Sequence, residues 1–389
     1  MTLKLDGTNT AANPGITGGD ANTGLVFGSD EIKMVTGGTD AITIGNDQSV
    51  ALASGLSVNR QPYPCSGHLS NRNLVVNGEM KVCQRGASVT GLTVSKFQID
   101  RWLFAIQNLG TWTVERSTDA PDGFAFSQKM TCTTADATPA SNDFCLLVHR
   151  FEGQNLQHLK YGTSGAKDVV VSFWVKSNKI GNMSWEMAQY DSANSNTTKQ
   201  FTRSFEIEAA NTWEFKKYTI PGDTAGVIIN NAGIGAYMSW WLNSGATYTG
   251  GTHSTPNWQA STNANRNATN IGIGGAANDY LAITGVQVEL GTNDEATPFE
   301  HISYAQELRE CQRYLFVWGG GNLYGANYSG SHNFVRMSFP VTMRDTPICT
   351  ATLINGTVAT NYTNRDVYQQ FIQNATNTRL TALEASAEI

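Results

Sequence analysis

Charge is scarce in this chain of 389 residues: Asp, Glu, Lys and Arg make up only 15% of it, where about 25% is usual for a globular protein. Gly, Ser, Thr and Asn fill the gap, which implies a surface that is polar but weakly charged. No stripe of Lys and Arg is present and the formal net charge is −6. A nucleic-acid partner is thereby excluded, because neutralising a phosphate backbone takes clustered cations. Cysteine is sparse and unpatterned. Cys65, Cys83, Cys132, Cys145, Cys311 and Cys349 form no C-x-x-C unit, so neither a zinc site nor a disulfide framework is indicated, and most are expected as reduced core residues. No apolar run approaches the roughly 18 residues of a membrane span, so no membrane insertion is expected. The opening MTLKLDGTNT lacks the apolar core of a secretory signal, and the expectation is synthesis in a cytoplasm with any exit by another route.

What is present is alternation at period two. Residues 1–68 carry short apolar pieces, LVF (25–27), IKMV (32–35) and AITI (41–44), separated by the turns GSD and GGTD. They read as short strands. Strands this short bury little alone, so the segment needs partners, and further copies of itself are the natural ones. The boundary falls in QPYPCSGHLS (61–70), where Pro62 and Pro64 interrupt any ladder. From 69 to 301 amphipathic strands follow one another. Val169, Val171, Phe173 and Val175 share one face of VVVSFWVKS; Met183, Trp185 and Met187 share one face of MSWEMAQY; NKIGN between them fits a hairpin turn. In WEFKKYTI, Trp213 and Phe215 reach the same face as Tyr218 and Ile220 only through a bulge at Lys216 and Lys217. YLAITGVQVEL changes phase at Gly285, as a bulge requires. Many strands without intervening helices predict a sandwich. Residues 319–389 read as a small β domain, with Val335, Met337, Phe339 and Val341 on one face of NFVRMSFPV.

Helical periodicity is confined to SYAQELRECQRYL (303–315). Ser303 and Gln306 form a capping box, and Tyr304, Leu308, Cys311 and Leu315 fall on one stripe. Residues 302–318 are therefore expected as a connecting helix between two β domains. Leu308, Cys311 and Leu315 would face a three-chain axis, with Arg309, Glu310 and Arg313 outward or paired. The alternative is that the stripe packs on its own sandwich.

A family likeness emerges from motifs in order along the chain: NLVVNGEMKVCQRG (73–86), FQIDRW (97–102), VERSTDAPDGFAFS (114–127), VSFWVKS (171–177), NTWEFKKYTIPGDTAG (211–226), and GVQVELG with ATPFE (285–300). Together they resemble the jelly-roll domain of tail fibre proteins from tailed bacteriophages. ELRECQRY (307–314) and FPVTMRDTP (339–347) are similar to the helix and first C-terminal strands of those proteins, and GLVFGSDEIKMVTGGTDAITIG (24–45) to the attachment segments that precede them. The resemblance implies an all-β homotrimer located in the virion tail fibre. Its parts would be an N-terminal attachment segment (1–68) bound to a phage tail or baseplate protein, a central jelly-roll sandwich (69–301) similar to carbohydrate-binding modules, the connecting helix (302–318) and a C-terminal β tip (319–389) facing the host. The implied function is host attachment by multivalent binding to a surface glycan, without catalysis or cofactor. A polysaccharide depolymerase and a virion decoration protein without a receptor are the alternatives.

Motifs for catalysis are absent: no H-E-x-x-H, G-x-S-x-G or P-loop occurs, and GIGGAA (272–277) reads as a β-turn. Asp100, Asp143, Glu152 and Asp279 could supply a glycosidase pair, which needs two carboxylates at the right separation. Asp100 beside Arg101 is also a candidate ligand for a structural calcium ion, since jelly-roll modules often hold one and carboxylate oxygens suit it; the alternative is an Asp–Arg pair or turn bond, with Trp102 in the core. Aromatic residues are the candidates for sugar binding, because sugar C–H faces stack on flat rings. In GIGAYMSWWL, the face of Ile234, Met238, Trp240 and Leu242 leaves Tyr237, Ser239 and Trp241 on the other side. Tyr248, His253 and Trp258 could extend that group; the alternative buries both Trp240 and Trp241, one between the sheets and one against a neighbouring chain. A second group lies at the tip: Tyr324, Tyr328, His332, Tyr362 and Tyr368, which could equally make trimer contacts.

Overall fold

Side chains alternating along Val169–Ser177 and Gly181–Asp191 end up facing each other across a gap between two sheets. In the computed structural model the described residues are 4–5, 10, 12, 14–17, 20–29, 31–45, 50–52, 57–58, 61–62, 70–191, 193, 196–329, 332–373 and 378–389. They belong to two units, Met1–Leu69 and Ser70–Ile389.

In the first unit, β1 (Lys4–Leu5), β2 (Ile16–Thr17), β3 (Gly24–Gly28), β4 (Glu31–Thr36), β5 (Thr39–Ile44) and β6 (Val50–Leu52) form an antiparallel meander in chain order, and β7 (Ser57–Val58) pairs with β8 (Gln61–Pro62). Gly37 and Gly38 both adopt positive φ in the β4–β5 turn, the backbone that a two-residue hairpin of the sheet's hand requires. Ile32 pairs with Ile44 and Met34 with Ile42. Ile32, Met34 and Ile44 are 43%, 50% and 42% exposed among the described residues, so these side chains present an apolar face of the sheet.

The second unit begins with a two-sheet antiparallel sandwich. Its strands are β9 (Ser88–Leu92), β10 (Lys96–Ile99), β11 (Trp102–Gln107), β12 (Thr111–Ser117), β13 (Ser127–Thr134), β14 (Phe144–Glu152), β15 (Val169–Ser177), β16 (Gly181–Asp191), β17 (Asn196–Ile207), β18 (Glu214–Ile220), β19 (Ile234–Ser244), β20 (Gln259–Ala260) and β21 (Tyr280–Leu290). One sheet runs β10-β11-β14-β19-β16-β17-β20 and the other β18-β15-β21-β13-β12-β9. Between them lie Trp102, Phe104, Trp112, Leu147, Phe173, Trp185, Met187, Phe201, Trp240 and Leu242, all at most 1% exposed. Val169, Val171, Phe173, Val175, Met183, Trp185 and Met187 point inward, as their alternation predicts.

Two local expectations are corrected. NKIGN is not a hairpin: β15 and β16 lie in opposite sheets, so the segment crosses the sandwich. Nor does β18 bulge at Lys216 and Lys217. It pairs with β15 in unbroken register, and Phe215 simply faces outward, 43% exposed, while Ile220 is buried. At Gly285, in contrast, the register does shift. Its φ is +61°, and a Cβ there would lie 2.7 Å from Phe124. The shift lets Ile283 and Val286 both enter the core.

The helix is shorter than expected: α1 covers Tyr304–Gln312, and Leu315 opens the next strand. Ser303 caps it by accepting from the Gln306 N–H at 3.2 Å, but the Gln306 amide turns to Glu310 at 3.4 Å, so only half the capping box forms. Its buried face carries Glu307, Cys311 and the following Tyr314, while Tyr304 is 55% exposed and Leu308 half-buried. Glu307 accepts from the backbone of Asn77, whose own amide reaches the Val82 and Asp100 carbonyls at 2.9 Å. The expectation that Cys311 and Leu315 face a three-chain axis is therefore corrected, while Leu308 stays half-buried. Cys311 and Leu315 have no exposed surface, because the helix packs on its own sandwich.

Beyond the helix, β22 (Leu315–Tyr324), β23 (Ala326–Ser329), β24 (His332–Ser338), β25 (Ile348–Ile354), β26 (Thr357–Asn361), β27 (Val367–Gln373) and β28 (Arg379–Ser386) form two further sheets, β22-β28-β25 and β23-β24-β27-β26. They enclose a second core around Val335, Phe339, Met343, Tyr368 and Leu383. Ion pairs tie this lobe and the helix to the sandwich: Arg101, fully buried, to Glu388 at 2.6 Å; Arg85 to Glu384 at 2.9 Å; and Arg313 bidentate on Glu152 at 2.8 Å. Cys132, Cys145 and Cys311 are buried and reduced, and Cys83 and Cys349 are reduced and half-buried. Among the described residues no helix is long and apolar enough to cross a membrane.

Candidate functional site

Strand register builds a groove on the outer face of the seven-stranded sheet. Leu146 pairs with Ala105 on one side and Trp241 on the other; Val148 pairs with Leu103 and Ser239; Arg150 pairs with Tyr237. Across β19, Ser239 lies opposite Glu186 and Tyr237 opposite Ala188. Each of these residues alternates with a core residue of the same strand, so the outer face follows from the inner one. The result is a cavity of about 240 Å³ walled by Phe144, Tyr190, Ile234, Tyr248 and Arg266, with Ala105, Leu146, Val148, Arg150, Tyr237 and Trp241 also lining it.

Tyr248 and Arg266 come from the loop between β19 and β21. Asn267, fully buried, fixes that loop by donating to Ser244 Oγ at 2.8 Å, and the Asn267 N–H donates to the Tyr248 carbonyl at 2.9 Å. Ser184 on β16 closes the neighbouring turn by donating to the Thr269 carbonyl at 2.9 Å. Arg266 is thereby aimed at Glu186. Its NH2 lies 2.6 Å from Glu186 Oε1 and 2.8 Å from the Tyr237 hydroxyl. Ser239 and the Trp241 indole also donate to Glu186, at 2.8 and 3.3 Å. Burial alone would lower the Arg266 pKa, but the Glu186 charge outweighs it and holds it above the ordinary value. The guanidinium lies 5.0 Å from the Trp241 ring centre, and Tyr248 packs on the same ring at 5.2 Å.

Tyr237, Ser239 and Trp241 share the outer face, as their alternation predicts, and Tyr248 joins them. Trp241 is only 1% exposed and Tyr237 8%, so they form a floor and not an open platform. The covering of Trp241 comes from this chain's own loop and not from a neighbour. The half-buried rings facing the cavity are Phe144, Tyr190 and Tyr248. Trp258 stands elsewhere. Its indole donates to the Pro221 carbonyl at 2.6 Å, and it packs on Tyr161 and Phe201 at the rim of the core. His253 bonds Thr269 at 2.9 Å. Tyr324 is 61% exposed on β22, Tyr362 is 54% exposed with its ring edge on Phe371, and Tyr368 is buried. The Tyr328 side chain lies outside the described residues, and none of the described tip side chains lines the groove.

Sequence reasoning missed Phe144, Arg150, Glu186, Tyr190 and Arg266. Alternation could have found two of them: if Met183, Trp185 and Met187 face the core, then Glu186 and Tyr190 face outward on the same strand as Ala188. Nothing local marks Arg266, which reaches the groove only through the fold of its loop.

The carboxylates considered for catalysis or metal each accept hydrogen bonds from neighbouring groups of the fold. Asp100 accepts from the Gln84 backbone at 2.9 Å and its amide at 2.6 Å, and burial pushes its pKa up to about 6. Arg101 pairs with Glu388, not with Asp100. Asp143 accepts from the Ala140 N–H, Glu152 holds Arg313, and Asp279 caps the GIGGAA turn by accepting from Gly274 and Ala276, both at 3.0 Å. Among the described residues no group of three or more His, Cys, Asp or Glu is arranged to hold a metal ion.

No protein-family profile matches the chain, and no curated protein matches it. Among solved structures it is similar to the enzymatically active domain of bacteriophage CBA120 tailspike protein 4, with 14% identity and a TM-score of 0.32 over 56% of this chain and 21% of that one. The chain thus spans about a fifth of that structure's length. It is also similar to the family 11 carbohydrate-binding module from Clostridium thermocellum in complex with a β-1,3-1,4-mixed-linked tetrasaccharide, with 8% identity and a TM-score of 0.28 over 54% of this chain and 98% of that one. A third likeness is to the CBM22-2 xylan-binding domain from Paenibacillus barcinonensis, with 13% identity and a TM-score of 0.26 over 50% and 93%. The two-sheet architecture rests on the strand register above and takes nothing from these overlaps.

Proposed function

We propose that the chain binds a saccharide in the outer-face groove and acts as the adhesive subunit of a phage tail fibre. The observation that carries the reading is the cavity itself: apolar floor, half-buried Phe144, Tyr190 and Tyr248 rings, and guanidinium groups at its edge. Rings present flat faces to sugar C–H groups while the polar edge bonds hydroxyls. At about 240 Å³ it is smaller than the roughly 300–1,000 Å³ of drug-sized sites, which suits a single sugar ring.

One such site binds weakly, so attachment depends on several sites held together. The fibre is a homotrimer whose contacts include the exposed apolar face of β4 and β5, and the N-terminal unit docks on a tail or baseplate protein. The resemblance of residues 24–45 to attachment segments supports that assignment. The groove serves binding and not cleavage. Glycoside hydrolysis needs two carboxylates flanking the bond, and Glu186, the carboxylate beside the groove, is committed to Arg266, Ser239 and Trp241. The test is a glycan array probed with the intact protein, with an assay for new reducing ends on each bound glycan. Retention without new ends is expected. New ends would assign a depolymerase, and no retention on any host-derived glycan would assign a decoration protein.

A further inference from the structure

The two guanidinium groups lining the groove differ in their partners. Arg266 is neutralised by Glu186. Arg150 is not: it sits half-buried on β14 opposite Tyr237, and among the described residues its side chain makes no ion pair or hydrogen bond, Tyr190, Tyr237 and Glu388 acting on it only through their longer-range charge. The nearby carboxylate of Glu388 is already held by Arg101, whose NH2 also donates to the Arg150 carbonyl at 2.6 Å. A guanidinium cannot shed its proton, so a half-buried one without a direct ion-pair partner is a standing cost. Burial first, and then the charge of Arg101, push its pKa below the ordinary value.

We propose that the groove selects an acidic sugar, a hexuronic acid whose carboxylate is received by Arg150 while its ring packs against Tyr190, Tyr248 and Phe144. The inference rests on the saccharide reading above and adds the class of ligand. A planar guanidinium meets a carboxylate through two parallel N–H···O bonds. It matches a single negative charge; a phosphate monoester carries nearly two, and the groove's other cation is already neutralised. A neutral sugar would leave Arg150 unpaired and desolvate it further, so discrimination comes from the acid group and affinity from the rings.

The experiment is isothermal titration of the full-length protein with oligogalacturonate, its methyl ester, a neutral oligogalactoside of equal length and galactose phosphate. The free acid is expected to bind at least tenfold more tightly than the ester, with that difference lost in Arg150→Gln. The ester comparison needs no variant and stands even where R150Q fails to fold. Equal binding of acid and ester overturns the inference and leaves the saccharide reading intact. Tighter binding of a sugar phosphate than of the uronate also overturns it. Binding of none of the sugars, with the groove variants Tyr190→Ala and Tyr248→Ala indistinguishable from wild type across a glycan array, overturns both.

Discussion

Glu186 and Arg266 meet 80 residues apart in sequence, Oε1 to NH2 at 2.6 Å, with the carboxylate wholly buried. A buried pair is weak evidence for stability, because desolvation offsets the attraction, but breaking it strands a charge. Arg266→Ala is expected to cost about 3–5 kcal/mol in urea unfolding. The double change Glu186→Gln with Arg266→Met removes both charges and is expected to cost less than the sum of the single losses. A single-variant loss under about 1 kcal/mol would show that water reaches the pair.

The half-buried rings give a contrast within one chain. Tyr248→Ala or Tyr190→Ala should weaken glycan binding about fivefold, because stacking contributes on the order of 1 kcal/mol per ring. Trp258→Ala should leave affinity unchanged, since Trp258 packs on Tyr161 and Phe201 away from the groove. The reverse ranking would move the site.

Burial pushes the Glu307 pKa up to about 7, against the opposing hydrogen bond from Asn77, and that of Asp100 up to about 6. Between the unfolded values, near 4.5 and 3.8, and these folded ones, the native state holds more protons than the unfolded chain. Stability from these groups is therefore present at low pH and is lost as pH rises toward 7. The shift at Glu307 corresponds to an effect on the order of 3 kcal/mol. His149, buried and held neutral by burial and then by the Arg101 charge, acts in the opposite sense: it loses stability as pH falls below about 6.5. Glu307→Gln isolates its own part. The difference between variant and wild type in urea unfolding should grow in the variant's favour from pH 4.5 to 7.5, and a constant difference would contradict the raised pKa.

For the proposed homotrimer, Ile32 and Met34 on β4 replaced together by Lys should reduce the molar mass in solution below that of three chains, measured by light scattering. Leu308→Lys should leave it unchanged, because α1 packs on its own sandwich. A trimer that survives the first change and falls apart with the second would restore the helical seam.

Much of the sandwich was legible because burial on one face imposes period two. Val169 to Val175 and Met183 to Met187 needed no partner to be assigned, and the phase change at Gly285 announced its own bulge. Which strands pair was not legible. NKIGN reads as a hairpin because local turn chemistry is the same whether the next strand joins its own sheet or the opposite one. The helix shows the same limit: its apolar stripe pointed to Leu308, yet the buried face carries Glu307, since Asn77 offers that carboxylate a backbone N–H from 230 residues away.

The sequence by itself determined that this is a β protein with one short helix, which strand faces are apolar, and that Tyr237 and Trp241 share the outer face of their strand. Only the tertiary structure decided that Trp241 is a covered floor, that Tyr190 and Phe144 join Tyr248 in the wall, and that Arg150 is left without a direct ion pair while Arg266 is not. Side-chain direction follows from the backbone's own repeat and is local. Register, loop closure and the pairing of charges depend on residues far apart in the chain, and no window of sequence contains both members.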